Sequence, residues 1–92
     1  MRVNVRIFGE ISRVYGRKHT LEIEENSTIS SVIRKIQENT GLVRSDYLGE
    51  WRVGSADLAI IINGKNMNLI NGVNTPVHNN DEIVITPYVM GG

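Results

Sequence analysis

The chain closes on Gly91-Gly92, behind Thr86-Pro87-Tyr88-Val89-Met90 and an apolar run, Ile83-Val84-Ile85. Glycine has no side chain, and its backbone is correspondingly free. Two of them at a terminus make a thin arm that ends in a bare carboxylate. From Tyr88 to Gly92 such an arm reaches roughly 17 Å, at ~3.4 Å per extended residue. That shape suits a carboxylate delivered into a narrow slot on another protein, where any Cβ would collide with the walls. Small, frayed termini are also common without a function, so the pair takes its meaning from the rest of the chain.

Other chemistry is sparse. The absence of cysteine excludes disulfides, thiolate metal sites and a catalytic thiol. The two histidines, His19 and His78, fall in or beside turn-rich segments and are expected to be solvent-exposed and uninvolved. Asp81-Glu82 sets two carboxylates side by side, but neighbours in an extended segment point apart, and no third ligand is evident. The glycines lack phosphate-loop spacing. No metal, bound cofactor or catalytic machinery of its own is therefore expected. Ten basic residues balance ten acidic ones, so no global field draws the chain to nucleic acid or to an anionic membrane. No apolar run approaches the ~20 residues of a membrane span. The opening Met1-Arg2-Val3-Asn4-Val5-Arg6 alternates where a secretory leader would be continuous. A cytoplasmic location is the expectation.

These features have to be positioned by a small fold. Ninety-two residues, 40% hydrophobic and 22% charged, read as one folded domain over 1–92 with a flexible tail over 87–92. Val3, Val5 and Ile7 alternate with Arg2, Asn4 and Arg6, which predicts a strand with one buried face. Residues 9–16 read as a connector stopped by Gly16. Alternation over 20–24 predicts a second strand, antiparallel to the first. Ile29, Val32, Ile33 and Ile36 recur at helical spacing, with Thr28 as N-cap, Ser27 as the alternative cap and Gly41 as the stop. Burying these four side chains at ~1.5–3 kcal/mol each contributes roughly 6–12 kcal/mol before entropy.

Residues 42–57 carry Tyr47, Trp51 and two glycines without a clean period. They are expected to form a loop or a short helix near 46–51, with Trp51 packing. Residues 58–62 read as a strand, Asn63-Gly64 as a hairpin turn needing φ > 0 twice, and 66–70 as the return strand. Asn71-Gly72 and Asn79-Asn80-Asp81 read as turns, and 82–86 as the last strand. The expected class is α+β: a mixed sheet with one helix packed across one face. On the other face, Phe8, Ile61 and Val84 break the polar side of their strands. Together they form a candidate apolar docking patch near the root of the tail.

In this order the features resemble the small β-grasp sulfur carriers of the MoaD (molybdopterin-synthase small subunit) and ThiS (thiamine sulfur carrier) type, and through them the ubiquitin-like modifiers. The motifs are Phe8-Gly9 followed by Ile11-Ser12-Arg13 and Gly16, the Thr28-Ile29 helix start, Ile62-Asn63-Gly64-Lys65, Pro76-Val77 before Asp81-Glu82-Ile83, and the Pro87…Gly91-Gly92 end. The ending is the most specific. Molybdopterin members commonly have two prolines where Pro87-Tyr88 stands, and often a glycine at the place of Asn80; asparagine also tolerates a left-handed turn.

The resemblance implies a β-grasp, ubiquitin-like fold. It implies that an ATP-using adenylyltransferase activates the Gly92 carboxylate, with ATP bound by that partner and not by this chain. The activated end would become a thiocarboxylate, foremost for molybdenum cofactor biosynthesis with the molybdopterin synthase large subunit as receiver. Conjugation through Gly92 to lysines of target proteins is the alternative, and a β-grasp interaction domain with a coincidental tail is the third reading. Gly91 and Gly92 would carry the chemistry. Phe8, Ile61 and Val84, with Tyr88, Val89 and Met90, would dock the partner.

Overall fold

A computed structural model describes residues 1–9, 11–40 and 58–87. Strand β1 (Arg2–Ile7) buries Val3, Val5 and Ile7, as its alternation requires. Strand β2 (Lys18–Glu22) lies antiparallel to it. It begins two residues earlier than the alternation of 20–24 implies. Ile23 still pairs with Met1 by two bonds of 2.8 Å, but outside the strand.

Residues 11–15 are not a plain connector. They form a short helix, α1 (Ile11–Tyr15), on the same face as the main helix. Ile11 and Tyr15, four apart, are both buried. The Gly16 N–H closes the turn on the Ser12 carbonyl at 2.8 Å, and the glycine takes φ +92°. Gly16 is thus the expected stop, but of a helix.

Helix α2 (Ile29–Thr40) places Ile29, Val32, Ile33 and Ile36 in the core. Its N-cap is Thr28: the Thr28 carbonyl accepts the Val32 N–H at 3.1 Å, and the Thr28 N–H donates to Ser31 Oγ at 3.2 Å. The second bond is one half of a capping box, with serine in the acid's place. Ser27, the alternative, donates its hydroxyl to the Glu24 carbonyl. The Gly41 stop, the 42–57 segment with Tyr47 and Trp51, and the tail residues Tyr88, Val89, Met90, Gly91 and Gly92 lie outside the described residues.

Strand β3 (Leu58–Ile62) turns at Asn63-Gly64, with φ +49° and +85°, into β4 (Lys65–Asn66). The expected return strand over 66–70 stops at Asn66. There Asn66 Oδ1 accepts the Asn68 N–H at 2.9 Å and bends the chain into a 3₁₀ turn over Met67–Leu69. A local side-chain bond thus competes with the ladder. The bend buries Met67 and exposes Leu69 and Ile70. A second 3₁₀ turn, Gly72–Asn74, leads to the last strand, β5 (Glu82–Pro87).

Among the described residues the sheet has five strands in the order β2-β1-β5-β3-β4, with β1 and β5 parallel and the other pairs antiparallel. The helices cover one face, making an α+β β-grasp, ubiquitin-like fold. Ile83 and Ile85 of β5 meet Ile60 and Ile62 of β3, Val5 and Ile7 of β1, and the helices in one core. No described helix is long and apolar enough to cross a membrane.

Candidate functional site

The tail departs from the middle of the sheet. β5 lies between β1 and β3, so the strand that feeds the terminus is held on both sides. On one side the Phe8 N–H donates to the Ile85 carbonyl at 2.9 Å. On the other, Thr86 pairs with Ala59 and Pro87 with Leu58. Pro87, the first residue of the expected 87–92 tail, is thus still paired within β5. A proline has no N–H to continue a ladder, so it ends a central strand.

Gly9 faces this exit. Its φ of +83° favours glycine, and a Cβ built there would stand 2.9 Å from Pro87 Cδ and closer still to Cγ. The glycine lets the chain after β1 lie directly on the proline ring. The root of the tail is thus fixed by two hydrogen-bonded neighbours and one close backbone contact.

The docking residues from the sequence fall on one face. The register sets Arg6 beside Val84 and Val84 beside Ile61, and Phe8 follows two residues after Arg6. All point away from the helix-covered side. Phe8 is 49% exposed, while Val84 and Ile61 are half-buried. Arg6, Val84 and Ile61 stand in one row across β1, β5 and β3, while Phe8 lies further along, beyond the Ile7–Ile85 pair and nearer the end of β5. Tyr88, Val89, Met90, Gly91 and Gly92, the other site residues, lie outside the described residues.

Arg2 and Arg6 part company on this face. Arg2 Nε pairs with Glu22 Oε1 at 2.9 Å. Arg6 instead borders a hollow around Phe8 and Gly9, together with Arg13, Arg17 and Lys18. Sequence reading passed over Arg13, Arg17 and Lys18. The signal available was a basic run, Arg17-Lys18, after a glycine; the topology adds Arg6 from β1 and Arg13 from α1.

The remaining polar candidates are structural. Asp81 is buried beside the 78–81 turn; its carboxylate accepts the His78 N–H at 2.7 Å and Asn63 Nδ2 at 2.8 Å. Asn63 Oδ1 in turn accepts the Glu82 N–H at 2.9 Å. Asn80 adopts φ +70°, the left-handed turn where the resembled family often has glycine. Glu82 is exposed while Asp81 is buried, so the two carboxylates do part, and no metal-ligating cluster forms among the described residues. His78 is exposed. His19 is not the free surface residue expected. It sits opposite Val5, which turns its ring under α1, and its Nε2 donates to the Tyr15 carbonyl at 2.6 Å.

Comparison with known proteins agrees with this geometry. The ThiS family model matches residues 5–92. A protein of Archaeoglobus fulgidus described as a candidate sulfur carrier is 33% identical over 73 residues, covering 78% of this chain and 83% of its own. The crystal structure of the small archaeal modifier protein of Haloferax volcanii superposes with a TM-score of 0.76 at 16% identity, covering all of both chains. A Pyrococcus furiosus protein described as a candidate molybdopterin converting factor, subunit 1, superposes with a TM-score of 0.70 at 16% identity over 97% of this chain and 99% of that one. At such identities the structural likeness is one of fold, while the family match and the Archaeoglobus relative reach further. The chain belongs to the ThiS family, within the β-grasp, ubiquitin-like superfamily of small sulfur carriers and modifiers.

Proposed function

We propose that this protein is a carrier whose Gly92 carboxylate is activated by an ATP-using adenylyltransferase and then passed on as an acyl group. The observation that carries the reading is a family match running through Gly91-Gly92 to residue 92, on a fold that fixes the root of the tail beside an exposed Phe8. A carboxylate is a poor electrophile, so it needs a leaving group. A carboxylate oxygen attacks the α-phosphorus of ATP, pyrophosphate departs, and the acyl carbon then carries AMP. The partner supplies nucleotide and catalytic groups; this chain supplies the acyl end and the surface that presents it.

Two outlets follow from the adenylate. In sulfur carriage, the terminal sulfur of a persulfide displaces AMP, and a thiol cleaves the resulting acyl disulfide to release the thiocarboxylate. In protein modification, a thiol displaces AMP to give a thioester, and a lysine amine of a target protein displaces the thiolate to form an isopeptide bond. The Archaeoglobus relative supports the first outlet, and the fold shared with the Haloferax modifier supports the second. Molybdopterin synthesis, the pathway foremost in the sequence reading, is one family role among several. We rank it below general carriage and modification, because the similar proteins are not concentrated there.

Incubation with the adenylyltransferase of the same cell, ATP and a persulfide donor tests this. Carriage adds about 16 Da to the intact mass, one oxygen exchanged for sulfur. Modification leaves Gly92-derived remnants on cellular lysines. If the terminus fails to exchange pyrophosphate with any such partner, the reading is wrong.

A further inference from the structure

The chain is neutral overall, yet one of its surface hollows gathers cations. One hollow, at the end of the sheet where β5 hands over to the tail, is rimmed by Arg6, Arg13, Arg17 and Lys18 around Phe8 and Gly9, with no acidic side chain in its described lining. All of these cations are exposed, and none takes part in an ion pair among the described residues. Surface cations on a neutral protein usually find acidic neighbours, as Arg2 finds Glu22 at 2.9 Å. Glu22, Glu24 and Glu38 border a separate hollow beside α2 together with Arg34 and Lys35, and Glu82 borders a further one with Arg6 and Lys18. Because β1 and β5 are parallel, the end of β1 that leads into the cationic hollow and the end of β5 that leads into the tail lie together.

We propose that this hollow is the docking site for an acidic segment of the activating partner, a loop or helix end carrying clustered Asp or Glu. The inference rests on the carrier reading above and adds the chemistry of the contact. Three of the four cations are arginines, whose planar guanidinium forks match carboxylates in two-point pairs. They surround an exposed aromatic ring, and Arg beside an aromatic is the composition of protein-binding hot spots. A single-stranded nucleic acid would ask for a series of stacking rings. Among the described residues Phe8 is the one exposed aromatic, Tyr15 being buried. Complementary charge at this place would steer the partner onto the sheet end from which the tail extends.

The test reverses charge at two exposed positions outside the core, Arg13→Glu with Arg17→Glu, and measures pyrophosphate exchange with the adenylyltransferase of the same cell. The milder pair Arg13→Gln with Arg17→Gln is run beside it, and thermal unfolding establishes that each variant is folded. KM for the carrier should rise about tenfold or more with kcat kept. The wild-type KM should rise with salt between about 50 and 300 mM, and the variants' much less. An unchanged KM in a folded double-Glu variant overturns the proposal. Hexaglutamate, inorganic phosphate and a uridine oligonucleotide are titrated separately while the backbone amides of Phe8, Arg13, Arg17 and Lys18 are followed by NMR. Shifts with hexaglutamate support the proposal, whereas shifts with phosphate or RNA but none with the peptide overturn it. If the wild-type chain is not activated at all, the carrier reading fails, and the hexaglutamate titration alone decides the hollow: shifts support it, silence overturns it.

Discussion

Gly9 does two things that no other residue type can do at its place. It holds φ +83°, and it leaves room for the Pro87 ring where a Cβ would stand 2.9 Å from Cδ. Left-handed strain on a non-glycine residue costs about 1–3 kcal/mol, and forcing a close contact adds a cost of about 1–3 kcal/mol. Gly9→Ala should therefore destabilise by roughly 2–6 kcal/mol, read as a lower urea midpoint. The Phe8 amide, which donates to Ile85 beside this contact, should also lose protection from hydrogen exchange. A variant as stable as wild type, with that amide still protected, would mean that the proline ring yields freely and Gly9 does not set the exit. The chain marks this glycine only as Phe8-Gly9, the end of a strand. Its partner is 78 positions away, beyond the reach of any local pattern.

Among the elements, those with a strong period were legible. β1 alternates cleanly because one face is buried, α2 repeats Ile and Val at helical spacing, and Asn63-Gly64 carries the two residues that accept positive φ most readily. The illegible elements are those that tertiary contacts decide. α1 is a five-residue stretch, too short to show a period, and exists because Ile11 and Tyr15 reach the core. β4 ends early because the Asn66 side chain takes the Asn68 N–H. The candidate site divides in the same way. Phe8, Ile61 and Val84 could be placed on one face by counting parity along strands. The cationic hollow draws on β1, α1 and β2 with their connections, and so became visible only in three dimensions.

Two predictions belong to this scale. Ile33 is buried in the core on the α2 face. Placing a carboxylate there strands an unpaired charge, and such changes exceed about 4 kcal/mol. Ile33→Asp should be unfolded at room temperature by circular dichroism; a melt within a few degrees of wild type would refute the core assignment. Asp81 joins the turn before β5 to the β3–β4 hairpin through His78 N–H and Asn63 Nδ2. Asp81→Ala leaves both donors without their acceptor, at about 1–3 kcal/mol. It should lower the melting temperature, while activation of the terminus, at the far end of β5, keeps its kcat and KM. A loss of activation in the folded variant would show that the two ends of the sheet are coupled.

At the scale of the whole molecule, stability and the proposed reactivity are assigned to different parts of the chain. Among the described residues the core runs from Val3 to Ile85, and β5 is paired with β3 as far as Pro87. A protein modified at its terminus gains from this separation, because the acyl end can enter a partner's slot without a change in the packed residues. Removing Gly91 and Gly92 should therefore change stability by no more than the ~0.5 kcal/mol typical of surface changes. Pyrophosphate exchange should fall below detection, because the new terminus, Met90, carries a side chain where the proposed slot takes only glycine. Binding should survive through Phe8 and its neighbours, so the truncated chain should compete with the intact one for the activating partner at a similar concentration. Activation that persists after truncation would remove the chemical role of the glycines. Failure to compete would place the docking energy in the tail and not on the sheet.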